Sequence, residues 1–396
     1  MKIAYVSIQD STSIHSFSGT GYYIPQSLIM NGAEIHYVGQ LKKRPYLPEK
    51  FKELFFNKIH HKTYYYNRNP KVIHNYGKQA DKALAKIDHD AILSFSGPSI
   101  ALLKTKKPMV LWADAVFADI INFYPEFTNL AKVTIRNGHK MERILLNRCT
   151  HIVYSSDWAA EGAKRHYGIP PEKISVIPYG ANIEANWDKA TIERTLAKKD
   201  SNVCKLLFVG VNWLRKGGSQ ALRVAEKLNS DGLPTELHII GCKPPVNKNL
   251  PSYVKVHGFI SKKTPEGKQL INNLISNAHF LILPTIADCT PIVFAEFNSY
   301  GIPCLTTNVG GIPTLIRDGI NGKLFETNSK ASEYSNYIQL LFKNYSNYLS
   351  LAKTAYEEYR NRLNWQTSGK KMVTLLNKII NETSSTTTRQ KPQVYH

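Results

Sequence analysis

Short apolar runs recur along the chain, separated by longer stretches in which apolar and polar residues alternate with helical spacing. In the first half the runs are KIAYVSI, EIHYVG, AILSFS, PMVLWAD and HIVYSS; in the second they are KLLFVGV, ELHIIG, VKVHGF and HFLILPT. Between them, YYIPQSLIMNGA, SQALRVAEKLNS, QLINNLISNA and PIVFAEFNSYG carry helix-like patterns. Strand-like runs alternating with helical ones predict parallel α/β sheets. The alternation occurs twice, so two α/β domains of similar size are expected. The polar, loop-rich stretch at 182–203 separates them. The expected division is 1–185, a linker 186–204, a second domain 205–360 and a closing helix 361–382. Residues 383–396 are polar and lack apolar periodicity, which predicts a disordered tail.

The stretch HFLILPTIADCTPIVFAEFNSYGIPCLTTNVGGIP places Asp288 and Glu296 with seven residues between them. HFLILP reads as a buried strand. Thr290 is a good N-cap, and Pro291 then falls at the first helical position, where its missing N–H costs nothing. The helix is expected to run to about Tyr300, with Gly301 after its end and Pro303 forbidding continuation. Asp288 then lies at the carboxyl edge of a sheet, where ligands of open α/β sheets bind. Glu296 lies within the helix. First-turn N–H groups at Thr290, Pro291's neighbour Ile292 and Val293 suit a phosphate. Carboxylates on either side suit neutral hydroxyls. The stretch is equally compatible with a capped helix bearing a solvated Asp and a surface Glu.

A second stretch, LLFVGVNWLRKGGSQAL, leaves a strand at Gly210 and opens a helix. Arg215 and Lys216 sit in its loop, and Gly217 and Gly218 let backbone approach an anion. A basic pair beside a Gly-rich helix entry is a phosphate-binding arrangement. The spacing is not that of a P-loop, and on its own the stretch is equally compatible with a charged surface turn.

Together the two stretches resemble glycosyltransferase family 4, retaining enzymes of GT-B architecture: α/β, two Rossmann-like domains with parallel sheets facing a central cleft. THIVYSSDWAAEGAKRHYGIPPEKISVIPYGANIE and TTNVGGIPTLIRDGINGKLFE extend the resemblance, which is strongest over 151–326. The resemblance implies a hexosyltransferase using a nucleoside-diphosphate-sugar, UDP- or GDP-linked, with no other cofactor and no metal. It implies that the second domain binds the donor. Asp288 resembles the first acid of the family motif, which contacts the sugar; Glu296 resembles the second, which holds the ribose. Lys216 resembles the lysine that pairs with the diphosphate. Gly210, Gly217, Thr290 and the backbone of Pro291, Ile292 and Val293 fall at the phosphates, and Phe259 and Ile260, in HGFISKK, at the base. Two departures stand out. The first acid is Asp where Glu is usual, and Val211 stands where many relatives carry Arg. Arg215 is the candidate for that second positive charge.

The resemblance gives the acceptor to the first domain. There SFSGTGYYIPQSL follows the first strand, with Gly19, Thr20 and Gly21 as a flexible acceptor or phosphate loop. Ile24 occupies the third position of a dinucleotide fingerprint, which argues against NAD. Asp114 ends a strand facing the presumed cleft and is a candidate catalytic or acceptor-orienting acid. His15 and His139 read more readily as structural.

Composition changes the picture in three ways. Of 396 residues 42% are hydrophobic, enough for a sizeable core, yet no apolar run reaches membrane-spanning length. The N-terminus lacks the apolar core of a signal peptide, so a cytoplasmic protein is expected. The five cysteines, Cys149, Cys204, Cys242, Cys289 and Cys304, form no C-x-x-C pair, which argues against a disulfide framework or zinc site. The net charge of +21 implies polyanionic partners. The segment 41–78 mixes Lys and Arg with aromatics, among them Lys62, Tyr64, Tyr65, Tyr66 and Arg68. That mixture suits an anionic membrane surface, single-stranded nucleic acid, or a solvated insertion. With the resemblance it points to a lipid-linked or glycan acceptor at the inner face of the membrane, and away from nucleic acid. A sugar-phosphate synthase of the same fold and a non-catalytic nucleic-acid-binding protein on this scaffold are the alternatives.

Overall fold

The computed structural model describes residues 1–14, 16–43, 47–183, 187–245 and 250–389, without the side chains of residue 47 and residues 386–389. The chain forms two compact units, one of residues 1–179 with 365–396 and one of residues 180–364.

Unit 1 holds a six-stranded sheet in the order β2-β1-β3-β4-β5-β6. The strands are β1 (Lys2–Val6), β2 (Glu34–Val38), β3 (Ala91–Ser94), β4 (Met109–Ala113), β5 (His151–Tyr154) and β6 (Ile174–Val176). Every pairing is parallel. Unit 2 repeats the plan in the order β12-β11-β10-β7-β8-β9. Its strands are β7 (Cys204–Val209), β8 (Thr235–Ile240), β9 (Val254–Gly258), β10 (Phe280–Leu283), β11 (Cys304–Thr307) and β12 (Gly322–Phe325), again parallel throughout. The central strands β3, β4, β10 and β11 are buried at every position. Helices cover both faces of such sheets, which is why these strands read as continuous apolar runs rather than alternating ones.

In unit 2 the chain runs outward from β7 through β8 to β9, then returns to β10 on the other side of β7. The carboxyl ends of β7 and β10 therefore flank the point where strand order reverses, the usual ligand crevice of an open α/β sheet. Leu206 and Leu207 of β7 stand opposite Phe280 and Leu281 of β10. This register brings the loops after the two strands side by side.

The division differs from the expected one at both junctions. The linker expected at 186–204 is, in its described part from residue 187, an integral piece of unit 2. It carries the helix Lys189–Ala197, capped by Asp188, whose carboxylate accepts from Thr191 N at 2.7 Å. Ile192 and Leu196 of that helix sit in the core of unit 2. The closing helix is Trp365–Arg389, not 361–382, and it belongs to unit 1. Trp365 stacks against Tyr23 and Tyr179, with ring centroids at 6.2 and 5.8 Å. Gly369 lies so close to the helix Thr20–Ile29 that a Cβ there would stand 2.3 Å from Ser27 O. The tail expected from residue 383 is helical through Arg389, and residues 390–396 lie outside the described part. Thr383 and Ser384 donate to the carbonyls of Ile379 and Ile380 at 2.8 and 2.9 Å, so their hydroxyls are satisfied without leaving the helix.

Candidate active site

The two loops at the switch point of unit 2 are joined by backbone. Ile286 N and Thr285 Oγ1 both donate to Arg215 O, at 2.9 and 3.0 Å. Asn212 Oδ1 accepts from Arg215 N at 2.9 Å and folds the β7 loop back on itself. Gly217 ends that loop with φ of +77° and opens the helix Gly218–Ser230. A Cβ at Gly217 would stand 1.9 Å from Pro284 O. Gly217→Ala is therefore expected to destabilise by several kcal/mol, from a left-handed conformation costing about 1–3 kcal/mol plus displacement of the β10 loop. Thermal unfolding checks this, and an unchanged melting temperature would refute the close approach.

This loop geometry aims two cations at one carboxylate. Lys216 Nζ pairs with Asp288 Oδ2, and Arg215 Nη1 lies 3.3 Å from the same oxygen. Arg215 Nη1 also donates to Ala287 O at 2.7 Å. The three side chains are 10–18% exposed. Burial lowers the Lys216 pKa below the ordinary lysine value, opposed by Asp288 and assisted by Arg215. Asp288 is thus engaged by the two cations, where the resemblance assigned it to a sugar.

Glu296 lies in the helix Ile292–Asn298, 7% exposed. Its Oε1 accepts from Lys262 Nζ at 2.6 Å. Lys262 comes from the loop after β9, the same loop as Phe259 and Ile260. Phe259 is 80% exposed, an open ring face, while Ile260 packs on the core. The Lys262–Glu296 pair is a feature that sequence reasoning missed, although the HGFISKK loop and the acid were both singled out. The helix is anchored from below by a buried amide network. Asn321 Nδ2 donates to Asn298 Oδ1 at 2.7 Å, and Asn298 Nδ2 donates to Ile302 O at 3.0 Å. The helix is shorter than expected and starts later. Pro291 occupies the cap position with no side-chain cap, so Thr290 is not the N-cap. Pro291 has ψ of 104°, an extended value that defers the first helical residue to Ile292. Ile292 and Val293 still supply first-turn N–H groups, which lack intrahelical acceptors. Gly210 follows β7 and lies against the Lys216 stem; a Cβ there would stand 2.9 Å from Lys216 Cγ.

In unit 1 the loop after β1 leads into Gly19, at φ of +94°, and then Thr20 and Gly21 at the start of the helix Thr20–Ile29. Gln9 Oε1 holds this loop by accepting from Phe17 N at 3.0 Å. A Cβ at Gly21 would meet Ser16 Oγ at 2.4 Å, so Gly21 serves packing here. Asp114 follows β4 directly, half-buried at the carboxyl edge of its sheet. His139 is structural in its contacts: Nδ1 lies 3.1 Å from Tyr167 OH, the ring packs on Phe117, and burial lowers its pKa. His15 lies outside the described residues. The aromatic–basic segment 41–78 is mixed: Lys62 is exposed and Tyr65 half-buried, but two of its tyrosines turn inward. Tyr64 and Tyr66 are 4% and 6% exposed. Arg68 pairs with Glu142 at 3.2 Å and lies over the Phe117 ring. Cys289 is buried. No group of three His, Cys, Asp or Glu among the described residues could hold a metal ion.

Two parallel six-stranded α/β units, the second with a basic and acidic site at its switch point, define the GT-B class of glycosyltransferases. Family models agree: "Glycosyltransferase Family 4" matches residues 25–185 and "Glycosyl transferases group 1" matches residues 189–358. The chain belongs to glycosyltransferase family 4. The D-inositol 3-phosphate glycosyltransferase of Nocardiopsis dassonvillei is 24% identical over 194 residues, 46% of this chain and 45% of the relative. The chain thus matches about half the length of the curated relatives it is similar to. Among solved structures, the sucrose-phosphate synthase of Thermosynechococcus elongatus superposes with a TM-score of 0.69 at 15% identity, over 96% of this chain and 100% of that one. The Anabaena protein HepE, in complex with UDP, gives 0.61 at 16% identity, over 98% and 100%. At these identities the structures establish the fold.

Proposed function

We propose that this chain is a retaining glycosyltransferase. It moves a hexosyl group from a nucleoside-diphosphate-sugar, UDP- or GDP-linked, to an acceptor hydroxyl in glycan, polysaccharide or glycolipid synthesis. The observation that carries this reading is the convergence of Lys216 and Arg215 at the switch point of unit 2. In the reaction the bond between anomeric carbon and diphosphate oxygen breaks, and its electron pair stays on the oxygen. The acceptor oxygen bonds the anomeric carbon and releases its proton. Two fixed, largely buried cations beside the leaving oxygen stabilise its growing charge without reorganising. Glu296 accepts from the ribose hydroxyls, as an ionised carboxylate does well. Phe259 offers a face for the base. Gly19, Thr20, Gly21 and Asp114 are the acceptor-side candidates in unit 1, and no metal or cofactor is part of the reading. UDP in the HepE complex supports a nucleoside diphosphate as a ligand of this chain. The acceptor is lipid-linked or membrane-proximal, and the protein acts from the cytoplasm at the inner face of the membrane.

A thermal-shift panel of UDP, GDP, ADP, TDP and CMP tests the donor side. Binding at 100 times Kd stabilises by about 2.7 kcal/mol, a readily measured rise in melting temperature. One diphosphate is expected to give it, and Glu296→Gln to weaken it by lowering affinity for the ribose. If no nucleotide shifts the wild type at millimolar concentration, the reading is wrong.

A further inference from the structure

The helix Leu47–Lys58 of unit 1 turns most of its large apolar side chains outward. Its inward side carries Phe56, which packs on the core, and a carboxylate. Glu49 is 2% exposed, accepts from Tyr64 OH and pairs with Lys52 at 3.0 Å. Its outward side carries Phe51, Leu54 and Phe55, which are 69%, 51% and 46% exposed, and Ile59 continues the stripe at 65%. These positions follow i, i+3, i+4 and i+8, one face of a helix. A helix of a soluble surface does the opposite and turns its apolar stripe to the core. A contiguous exposed apolar stripe of this kind marks an interaction surface.

The stripe is held outward by specific contacts. Asn57 Oδ1 accepts from Tyr64 N at 3.2 Å, Lys62 N donates to Phe56 O at 3.0 Å, and Phe56 stacks on Tyr64 with centroids 5.6 Å apart. Lys50, Lys52 and Lys58 are exposed on the same helix, and His60, His61 and Lys62 are exposed just after it. Apolar side chains flanked by lysines match one partner best, a bilayer surface with anionic headgroups. The apolar groups enter the acyl boundary while the ammonium groups stay at the phosphates. A second copy of the chain would bring lysine against lysine, and the net charge of +21 favours the anionic surface further. No helix among the described residues is long and apolar enough to cross a membrane.

We infer that the helix Leu47–Lys58 lies in the plane of an anionic bilayer, with Phe51, Leu54, Phe55 and Ile59 inserted and the flanking lysines on the headgroups. The inference rests on the membrane-proximal acceptor proposed above and names the element that meets the membrane, residues other than the tyrosines the sequence suggested.

The test is co-sedimentation with vesicles of phosphatidylcholine alone and with added phosphatidylglycerol, on the full chain. The wild type is expected to bind the anionic vesicles and to bind pure phosphatidylcholine at least tenfold more weakly. The Phe51→Ser, Phe55→Ser double variant should lose at least tenfold in binding while its nucleotide-induced thermal shift stays intact. A wild type that binds neither vesicle overturns the inference. So does a double variant that binds like the wild type, or a wild type that self-associates through this stripe in sedimentation velocity without binding lipid. Should the double variant fail to fold, Phe55→Trp decides: a blue-shifted emission quenched by brominated lipid supports insertion, and an unchanged emission refutes it. Vesicle binding needs no nucleotide. A wild type that shows the thermal shift but binds neither vesicle sinks only this inference, and one that binds anionic vesicles but shows no thermal shift sinks only the donor reading.

Discussion

Lys216→Ala is expected to lower kcat by about 10²–10³-fold, the usual loss when one preorganised group facing a developing oxyanion is removed. The protein should remain folded, because the variant deletes a buried cation but leaves Arg215 against Asp288 at 3.3 Å. The nucleoside-diphosphate thermal shift should fall too, since the same ammonium group meets the diphosphate in the ground state. Lys216→Arg is not expected to rescue it. The lysine stem runs alongside Gly210, whose α-carbon leaves room for no larger group, and a guanidinium cannot occupy the same point against Asp288. Steady-state kinetics with a nucleotide-sugar carrying the base that the thermal-shift panel identifies provide the check. A kcat within threefold of wild type would remove Lys216 from the chemistry.

How much of this site was legible in the sequence depends on whether backbone or side chains set each part. The strands were readable because both faces of each sheet are covered, which writes them as unbroken apolar runs such as FLIL and AILS. The two loops were readable because Gly217 and the Pro291 region are backbone requirements that leave their mark on residue type. The start of the helix at Ile292 was missed because Thr-Pro is a cap signal that ψ at Pro291 overrides. The Lys262–Glu296 pair was missed because pairing across 34 residues is set by how β9 and the helix Ile292–Asn298 end, not by spacing. The tyrosines at 64 and 66 were misread because composition records that rings and lysines are adjacent, not which way they turn. Local sequence had the correct ingredients there and the wrong side: Phe51 and Phe55 face out while Tyr64 faces in. The junctions failed for a similar reason. The polar stretch at 186–204 hides Ile192 and Leu196, and two apolar residues on one helical turn suffice to dock it.

Asp288 is one of the two places where the sequence departs from the family pattern it resembles, and the largest effect after Lys216 is expected there. Asp288→Ala leaves Lys216 and Arg215 facing one another, both largely buried, with their shared carboxylate gone. Removing one partner of a buried pair typically costs about 3–5 kcal/mol, so a marked drop in melting temperature is expected. Asp288→Asn keeps the shape and a hydrogen-bond acceptor, and isolates the charge. Burial already holds the Lys216 pKa below its ordinary value, while Asp288 pulls it upward. Without that carboxylate the pKa falls further. The protonated ammonium is the form that stabilises the leaving diphosphate, so activity is lost as pH rises through the Lys216 pKa. The basic limb of kcat/KM, which reports the free enzyme, is therefore expected to move to lower pH in Asp288→Asn. The stability consequence has the matching sign. A lysine with a depressed folded pKa binds fewer protons folded than unfolded, so its contribution improves as pH rises from the folded pKa toward the unfolded one. The variant should thus gain relative stability over a wider alkaline range while losing activity in it. If the residue instead serves only to contact the sugar, as its position in the motif suggests, Asp288→Asn will raise KM for the donor and leave the basic limb where it is.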